Sequence, residues 1–223
     1  VRELDERGWF VSENVVSAPL AAELAALFVT AVAARAGTRA GLDLDAVQRL
    51  ARSPAVRALV EPILGSAAFA FRATLFDKTP AANWLVAWHQ DRTVPVVVRT
   101  DEAGFGPWSV KDGVVYVQPP DAVLRELLAV RVDLDGSAAD SGGLRVLSGT
   151  HRDGVLSPAA IVERRVRVLA ATPEVPKHGA LVMRPLLVHA SSRTNVPQHR
   201  RVVHLEFAPR ELPGVTQFFR RVC

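Results

Sequence analysis

The residues in this chain best suited to chemistry are His89-Gln90-Asp91 and, 98 residues after Asp91, His189, which Arg200 follows by eleven positions. Two imidazoles and one carboxylate can occupy one face of an Fe(II) ion and leave its remaining positions open to reactants. Successive side chains of a strand point to opposite faces, so an H-x-D pair can grip one ion from a single rigid element, with Gln90 turned away. H-x-D alone arises often by chance, and a lone histidine is usually a core or surface residue. The second half is what gives the pair weight. Residues 179–192 read as apolar strand, turn, apolar strand and then His189; after a loop containing Asn195 and Pro197, the run Arg200-Arg201-Val202-Val203-His204-Leu205-Glu206-Phe207 alternates as a strand does. A histidine and a guanidinium are thereby expected on neighbouring strands.

The elements that must position these residues fall into two stretches. Residues 2–16 suggest a short helix and a β-containing opening around Gly8-Trp9-Phe10-Val11. Ser17 can cap a helix with Pro19 in its first turn, running to about Ala36 before Gly37. A second helix is expected over 43–52, and a third from the cap Ser53 and Pro54 to Gly65. These helices are expected to buttress a sheet and do no chemistry. From Ala67 onward short apolar runs are separated by Gly, Pro and Asp, which argues for an antiparallel sandwich rather than alternating βα units. The expected strands are 69–76, 84–89, 94–98, 114–117, 127–134, 144–147, 166–171, 181–183, 186–189 and 200–207. Such a count suits a mainly β double-stranded β-helix, a cupin-like jelly roll with N-terminal buttressing α-helices. The whole chain, 1–223, reads as a single domain, with 1–66 the mainly helical buttress and 67–223 the jelly-roll core. Residues 99–113, 135–143 and 152–165 read as irregular, and loops of that length are often functional or mobile. The first is a lid candidate near the metal, with Gly104 and Gly106 as hinges and Phe105 and Trp108 as its cover.

Composition excludes several classes. With 49% hydrophobic and 22% charged residues, a 223-residue chain can bury a sizeable core. The single cysteine, Cys223, allows no intramolecular disulfide and no zinc–thiolate cluster, which makes a cytoplasmic setting the default. No apolar run is long enough to cross a bilayer; the best, 18–36, is interrupted by Pro19, Glu23 and Arg35. No basic-then-apolar leader opens the sequence. The net charge of +4 is spread over basic residues interleaved with acids, without the aromatic spacing of a nucleic-acid surface, so a small-molecule partner is expected, with no nucleic acid and no membrane. Oligomeric state is not legible.

Taken in order, Trp88-His89-Gln90-Asp91, Val130-Arg131-Val132-Asp133-Leu134-Asp135, Gly142-Gly143-Leu144-Arg145-Val146-Leu147-Ser148-Gly149-Thr150-His151, the 184–192 run and 200–208 resemble the phytanoyl-CoA dioxygenase-like branch of the Fe(II)/2-oxoglutarate-dependent oxygenases. The match extends from about Phe69 to Pro209. Ser141-Gly142 stands for the family's usual Asn-Gly and Ser148 for a common Pro; neither touches the metal set.

The resemblance implies Fe(II) held by His89, Asp91 and His189, with 2-oxoglutarate and O2 as co-substrates. Arg200 would pair the far carboxylate of 2-oxoglutarate through its bidentate fork, and Arg201, next along the strand, would point the other way. Ser191 resembles a position donating a hydroxyl hydrogen bond to the same co-substrate, and Trp108 an aromatic beside it. Gln90 is a further candidate contact, with bracing of its strand as the alternative. Lys78 is either a second basic contact or, more simply, a solvated strand end. His151 fits a hydrogen-bonded turn better than a metal site, and His204 either lines the pocket or sits in the core.

The reaction implied is oxidative decarboxylation of 2-oxoglutarate to succinate coupled to hydroxylation of an unactivated C–H bond, with desaturation or ring formation as variants. Related halogenases lack the carboxylate that Asp91 supplies. Two alternatives stand beside this reading. One is a cupin-type metal protein that does not use 2-oxoglutarate. The other is a nucleic-acid demethylase of the same superfamily, although Glu206 and Phe207 occupy the places where that group carries a second arginine. No basic cluster in the sequence suits a CoA diphosphate, so a metabolite or natural-product intermediate is the expected substrate.

Overall fold

A computed structural model describes residues 1–31, 37–79, 82–194 and 199–223. The chain opens with α1 (Arg2–Arg7), β1 (Trp9–Ser12), α2 (Ala18–Ala31), β2 (Gly37–Thr38), α3 (Asp45–Arg52) and α4 (Pro54–Leu64). The expected end of α2 near Ala36, like the loop residues Asn195 and Pro197, lies outside the described residues. At the start of α4 the Ser53 side chain accepts the Val56 N–H at 3.4 Å with Pro54 directly after it, and Gly65, at φ 86°, ends the helix. The buried side of α3 is Ala46, Val47, Leu50 and Ala51, the i, i+3/i+4 face of an amphipathic helix.

The strands that follow are β3 (Phe69–Lys78), β4 (Val86–His89), β5 (Val94–Val96), β6 (Trp108–Lys111), β7 (Val114–Val117), β8 (Leu128–Asp133), β9 (Leu144–Val146), β10 (Ala180–Met183), β11 (His189–Ser191) and β12 (Arg200–Ala208), with α5 (Asp121–Glu126) and α6 (Pro158–Arg167) between them. They pair antiparallel into a six-stranded sheet ordered β1-β10-β8-β12-β3-β2 and two three-stranded sheets, β4-β11-β9 and β5-β7-β6. This is the mainly β, jelly-roll type of architecture expected from the strand count. The N-terminal stretch does more than buttress it, because β1 and β2 are the two edge strands of the large sheet.

Alternation divides that sheet into a structural face and a chemical one. Ala73 and Leu75 of β3, Val130 and Val132 of β8, and Val203 and Leu205 of β12 pack with Leu24, Val47, Leu50 and Val56 of the helices in one buried cluster. The residues between them, Arg72, Thr74, Phe76 and Lys78 on β3, Arg131 on β8, and Arg200, His204 and Glu206 on β12, line a cavity of about 660 Å³. β4 and β11 contribute to the same cavity from the smaller sheet.

Four expectations fail. The stretch 152–165 is not irregular throughout, since α6 begins at Pro158. Residues 166–171 are not a strand: α6 continues to Arg167, and only Ala171 bridges to Val146. The stretch 186–189 is mostly a turn closed by the Leu187 N–H on Arg184 O, and the strand begins at His189. The irregular stretch 99–113 contains β6, joined to β7 by Asp112-Gly113, both at positive φ (51° and 78°). That is the two-residue hairpin turn with a twist matching the strands it joins. Among the described residues no helix is long and apolar enough to cross a membrane.

Candidate active site

His89 is the last residue of β4 and lies directly across from His189 at the start of β11, which brings their ring centroids to 4.2 Å. Asp91 lies just beyond the strand, held by its own N–H on Pro185 O at 2.9 Å. The imidazole Nε2 atoms of His89 and His189 are 3.7 and 3.6 Å from the Asp91 carboxylate oxygens. One ligand atom from each of the three residues fits within 4.8 Å of the others, the spacing of a single metal ion.

The side chains are also oriented for that ion. Nδ1 of His89 is 2.8 Å from Ala87 O, and Nδ1 of His189 is 2.8 Å from Leu187 O. A carbonyl can only accept, so each Nδ1 carries the proton and each Nε2 lone pair faces the centre. Burial, and then His89 beside it, lowers His189 to about 4, so it is neutral, as a ligand must be. Burial alone would raise the Asp91 carboxyl, but His189, His204 and His89 around it, with Arg72 behind, hold it below the ordinary carboxylate range.

A second group of charges lies at the end of β3 and β12, where Arg200 and Lys78 are cross-strand partners. Lys78 is fully buried and Arg200 is 3% exposed. The Lys78 Nζ donates to Ser191 Oγ at 2.6 Å and to Ser192 O, Ser191 Oγ donates to Gly142 O at 3.0 Å, and Arg200 Nη1 donates to the same carbonyl at 2.6 Å. Neither cation forms an ion pair among the described residues, and Arg200 Nε is buried without a partner. Burial, then the neighbouring Arg200 and Arg131, lowers Lys78 to about 7; burial, then Arg131, lowers Arg200 to about 9. Two buried cations with no acid at ion-pair distance among the described residues, the buried Asp133 only partly offsetting the lowering of Arg200, make a socket for an anion, with Ser191 between them. Arg201 points elsewhere, with Nε on Asp135 at 2.9 Å, as strand alternation requires.

With this geometry in view, the profile of the phytanoyl-CoA dioxygenase (PhyH) family matches residues 13–202. The chain belongs to the phytanoyl-CoA dioxygenase family. A search of curated proteins by sequence found no match. Among solved structures, it is similar to the non-heme alpha ketoglutarate dependent epimerase SnoN from nogalamycin biosynthesis (18% identity, TM-score 0.69, 99% of this chain and 89% of that one). It is also similar to EctD from S. alaskensis with 2-oxoglutarate and 5-hydroxyectoine (20%, 0.70, 93% and 74%). AviO1 from Streptomyces viridochromogenes Tue57 matches as well (16%, 0.68, 96% and 95%). At these identities the likeness is one of fold.

Within this phytanoyl-CoA dioxygenase-family chain, the remaining expected residues divide. The Gln90 carboxamide donates to Gly154 O and Leu186 O, at 2.8 and 2.7 Å, and accepts the Leu156 N–H at 2.8 Å. Both donors are used within the chain, so it braces the loop behind the metal set, and the residue also lines the cavity. Trp108 is not brought to the cavity: its ring packs with Phe105 against the cluster of Phe69, Phe71 and Phe218, under Arg99. Phe105 and Trp108, the cover expected of a lid, thus pack away from the metal set, and the same loop is tied by Thr100 to Thr216 and by Glu102, which accepts the Val215 N–H.

Lys78 is no solvated strand end, as its burial makes plain. The aromatic near it is Trp84, whose ring centroid is 5.4 Å from Nζ. His204 lines the cavity with Nε2 3.7 Å from Asp91 Oδ2, whereas His151 lies apart, against Gly8. The sequence reading missed Arg72 and its buried ion-pair partner Glu206 on the cavity floor. Strand alternation outward from His204 was the available signal for Glu206; nothing local marks Arg72.

Proposed function

We propose that this protein is an Fe(II)- and 2-oxoglutarate-dependent oxygenase that hydroxylates a small molecule and releases succinate and CO2. The observation that carries the reading is the pairing of a His–Asp–His set with a buried Arg200–Lys78 socket, neither cation of which is ion-paired among the described residues, in one cavity. A plain metal-binding cupin has no use for the second feature. SnoN has been crystallised with Fe3+ and alpha ketoglutarate and EctD with 2-oxoglutarate, which supports the same cofactors here.

In this reading His89, Asp91 and His189 hold the iron, and Arg200 and Lys78 hold the far carboxylate of 2-oxoglutarate, with Ser191 linking them. When bound, the metal and the 2-oxo acid supply O2 activation strong enough to take hydrogen from a C–H bond. The chain's contribution is positional. The backbone carbonyls of Ala87 and Leu187 fix the imidazole tautomers, Gln90 locks the loop that carries Asp91, and the buried socket sets the reach of the co-substrate. Retention of Asp91 at the metal supports oxygen insertion over halogenation. A small molecule fits the cavity better than nucleic acid, and the absence of any cysteine besides Cys223 supports a cytoplasmic setting.

The test is succinate formation by the purified protein given Fe(II), 2-oxoglutarate and O2. One succinate per 2-oxoglutarate consumed, only with metal present, is expected. Metal-loaded protein that leaves 2-oxoglutarate untouched would place it with the cupins that bind metal for other ends.

A further inference from the structure

Beside the cavity that holds the metal set lies a second chamber of about 390 Å³. Gly37, Thr38, Arg39, Arg72 and Lys111 line both spaces, and this shared rim is the neck between them. Beyond the neck Phe71, Tyr116, Phe219, Pro95 and Val114 line the apolar side of the chamber, while Asp112, tied to Arg39, and the ion pair of Asp43 with Arg220 line the other. These residues come from separate elements. Arg39 follows β2, Arg72 is on β3, and Lys111 ends β6 immediately before the Asp112-Gly113 turn.

Pairing off the charges at the neck leaves a remainder. Arg72 Nε donates to Glu206, and its Nη1 to Thr93 O at 2.9 Å. Arg39 Nη1 donates to Asp112 at 3.0 Å, which ties the hairpin tip to the opposite wall. Asp91 belongs to the metal set. Lys111 has no ion-pair partner among the described residues; its Nζ stands 4.8 Å from the Tyr116 ring centroid, half-buried in the wall of both chambers. The ammonium is pushed below its ordinary value by burial first, then by Arg72 and Arg39, against the weaker pull of Asp91 and Glu206.

We propose that the substrate of this site carries an anionic group, a carboxylate or a phosphate, seated at the neck on Lys111 with Arg39 and Arg72 beside it, while its aromatic or apolar body enters the chamber of Tyr116 and Phe219. The proposal rests on the oxygenase reading and adds the substrate class. An anion at the neck would supply the acid that Lys111 lacks and hold the substrate at the rim of the cavity that His89, Asp91 and His189 line.

The experiment uses protein loaded with Ni(II) and one equivalent of 2-oxoglutarate, so that the Arg200–Lys78 socket is filled. Phenyl phosphate, phenylacetate and the neutral 2-phenylethanol are titrated in calorimetrically. One of the two anions should bind more tightly than the alcohol, and which one does so assigns the group. Lys111→Met should weaken that anion about tenfold or more, while Lys111→Arg should keep it within a few-fold. Equal binding of the neutral probe, no binding of either anion, or an unchanged affinity in Lys111→Met would overturn the proposal. Retention of 2-oxoglutarate by the same samples is measured separately. Its failure would count against the oxygenase reading, whereas normal retention with indifferent anion binding would count against the neck alone.

Discussion

Arg200 and Arg201 are neighbours in sequence and opposites in environment, which makes them the most direct comparison at the residue scale. Arg200 has a buried guanidinium with Nε unpartnered, and Arg201 is already satisfied by a partly buried pair with Asp135. A charge-assisted pair in a desolvated site is worth more than a neutral hydrogen bond, and Arg201 does not line the cavity, so Arg200→Ala should weaken 2-oxoglutarate binding by roughly tenfold or more, and Arg201→Ala by much less. Calorimetry on both variants decides between them; a larger loss in the Arg201 variant would mean the register is wrong. Lys78 gives a pH signature. Burial, with Arg200 and Arg131, places its titration near 7, and a dianionic ligand favours the charged form. Binding should therefore take up a proton, and affinity should fall by up to about tenfold per pH unit as pH rises above 7. In the ligand-free protein the sign reverses, because the unfolded chain holds that proton up to about pH 10.4 and the folded one does not. That contribution destabilises the fold below about 7 and is relieved as pH climbs toward the unfolded value. In Lys78→Met both slopes should flatten; a persistent affinity slope would assign the effect to another group.

At the scale of elements, the socket depends on a turn that only glycine makes easily. Gly142 has φ +69°, and a Cβ there would lie 2.6 Å from Ser192 O, the carbonyl that accepts from Lys78, while Gly142 O itself accepts from Arg200 and Ser191. Gly142→Ala should cost about 1–2 kcal/mol of stability for the left-handed backbone alone and should weaken 2-oxoglutarate binding while leaving metal content unchanged. Urea unfolding and metal analysis check the two halves. Elements whose signals are local were legible in the sequence. The Ser53-Pro54 start and Gly65 stop of α4 are one case, and the alternating run of β12 is another. The same kind of start at Ser157-Pro158 announces α6, whose cap accepts the Ala160 N–H at 3.2 Å, yet the Val-rich end of that helix resembles a strand. Asp112-Gly113 is likewise a local hairpin signal lying inside a stretch read as irregular. Lys78 was not legible because its burial depends on which strand pairs with β12, a choice made by tertiary contacts.

For the whole molecule, the large sheet separates stability from chemistry, with helices on one face and the cavity on the other. Leu75 lies on the helical side of β3, between Thr74 and Phe76 on the cavity side. Leu75→Ala should cost about 2–5 kcal/mol of stability, yet 2-oxoglutarate affinity of the folded protein should stay within a few-fold; a parallel collapse of both would show that the faces are coupled. The grouping of His89, Asp91 and His189 was readable because these residues keep their own motif, whereas Trp108 was misplaced because its loop packs on a separate aromatic cluster. The neck charges were invisible for a related reason, since Arg39, Arg72 and Lys111 are scattered until the fold gathers them. The central claim is that one cavity holds both a metal and 2-oxoglutarate, and it can be tested without knowing the substrate by anaerobic calorimetric titration of 2-oxoglutarate. One equivalent should bind per chain when Fe(II) is present, with affinity lost in His189→Ala, which should also fail to retain the metal, and sharply reduced in Arg200→Ala. Binding that is equally tight without metal, or undiminished in both variants, would contradict it.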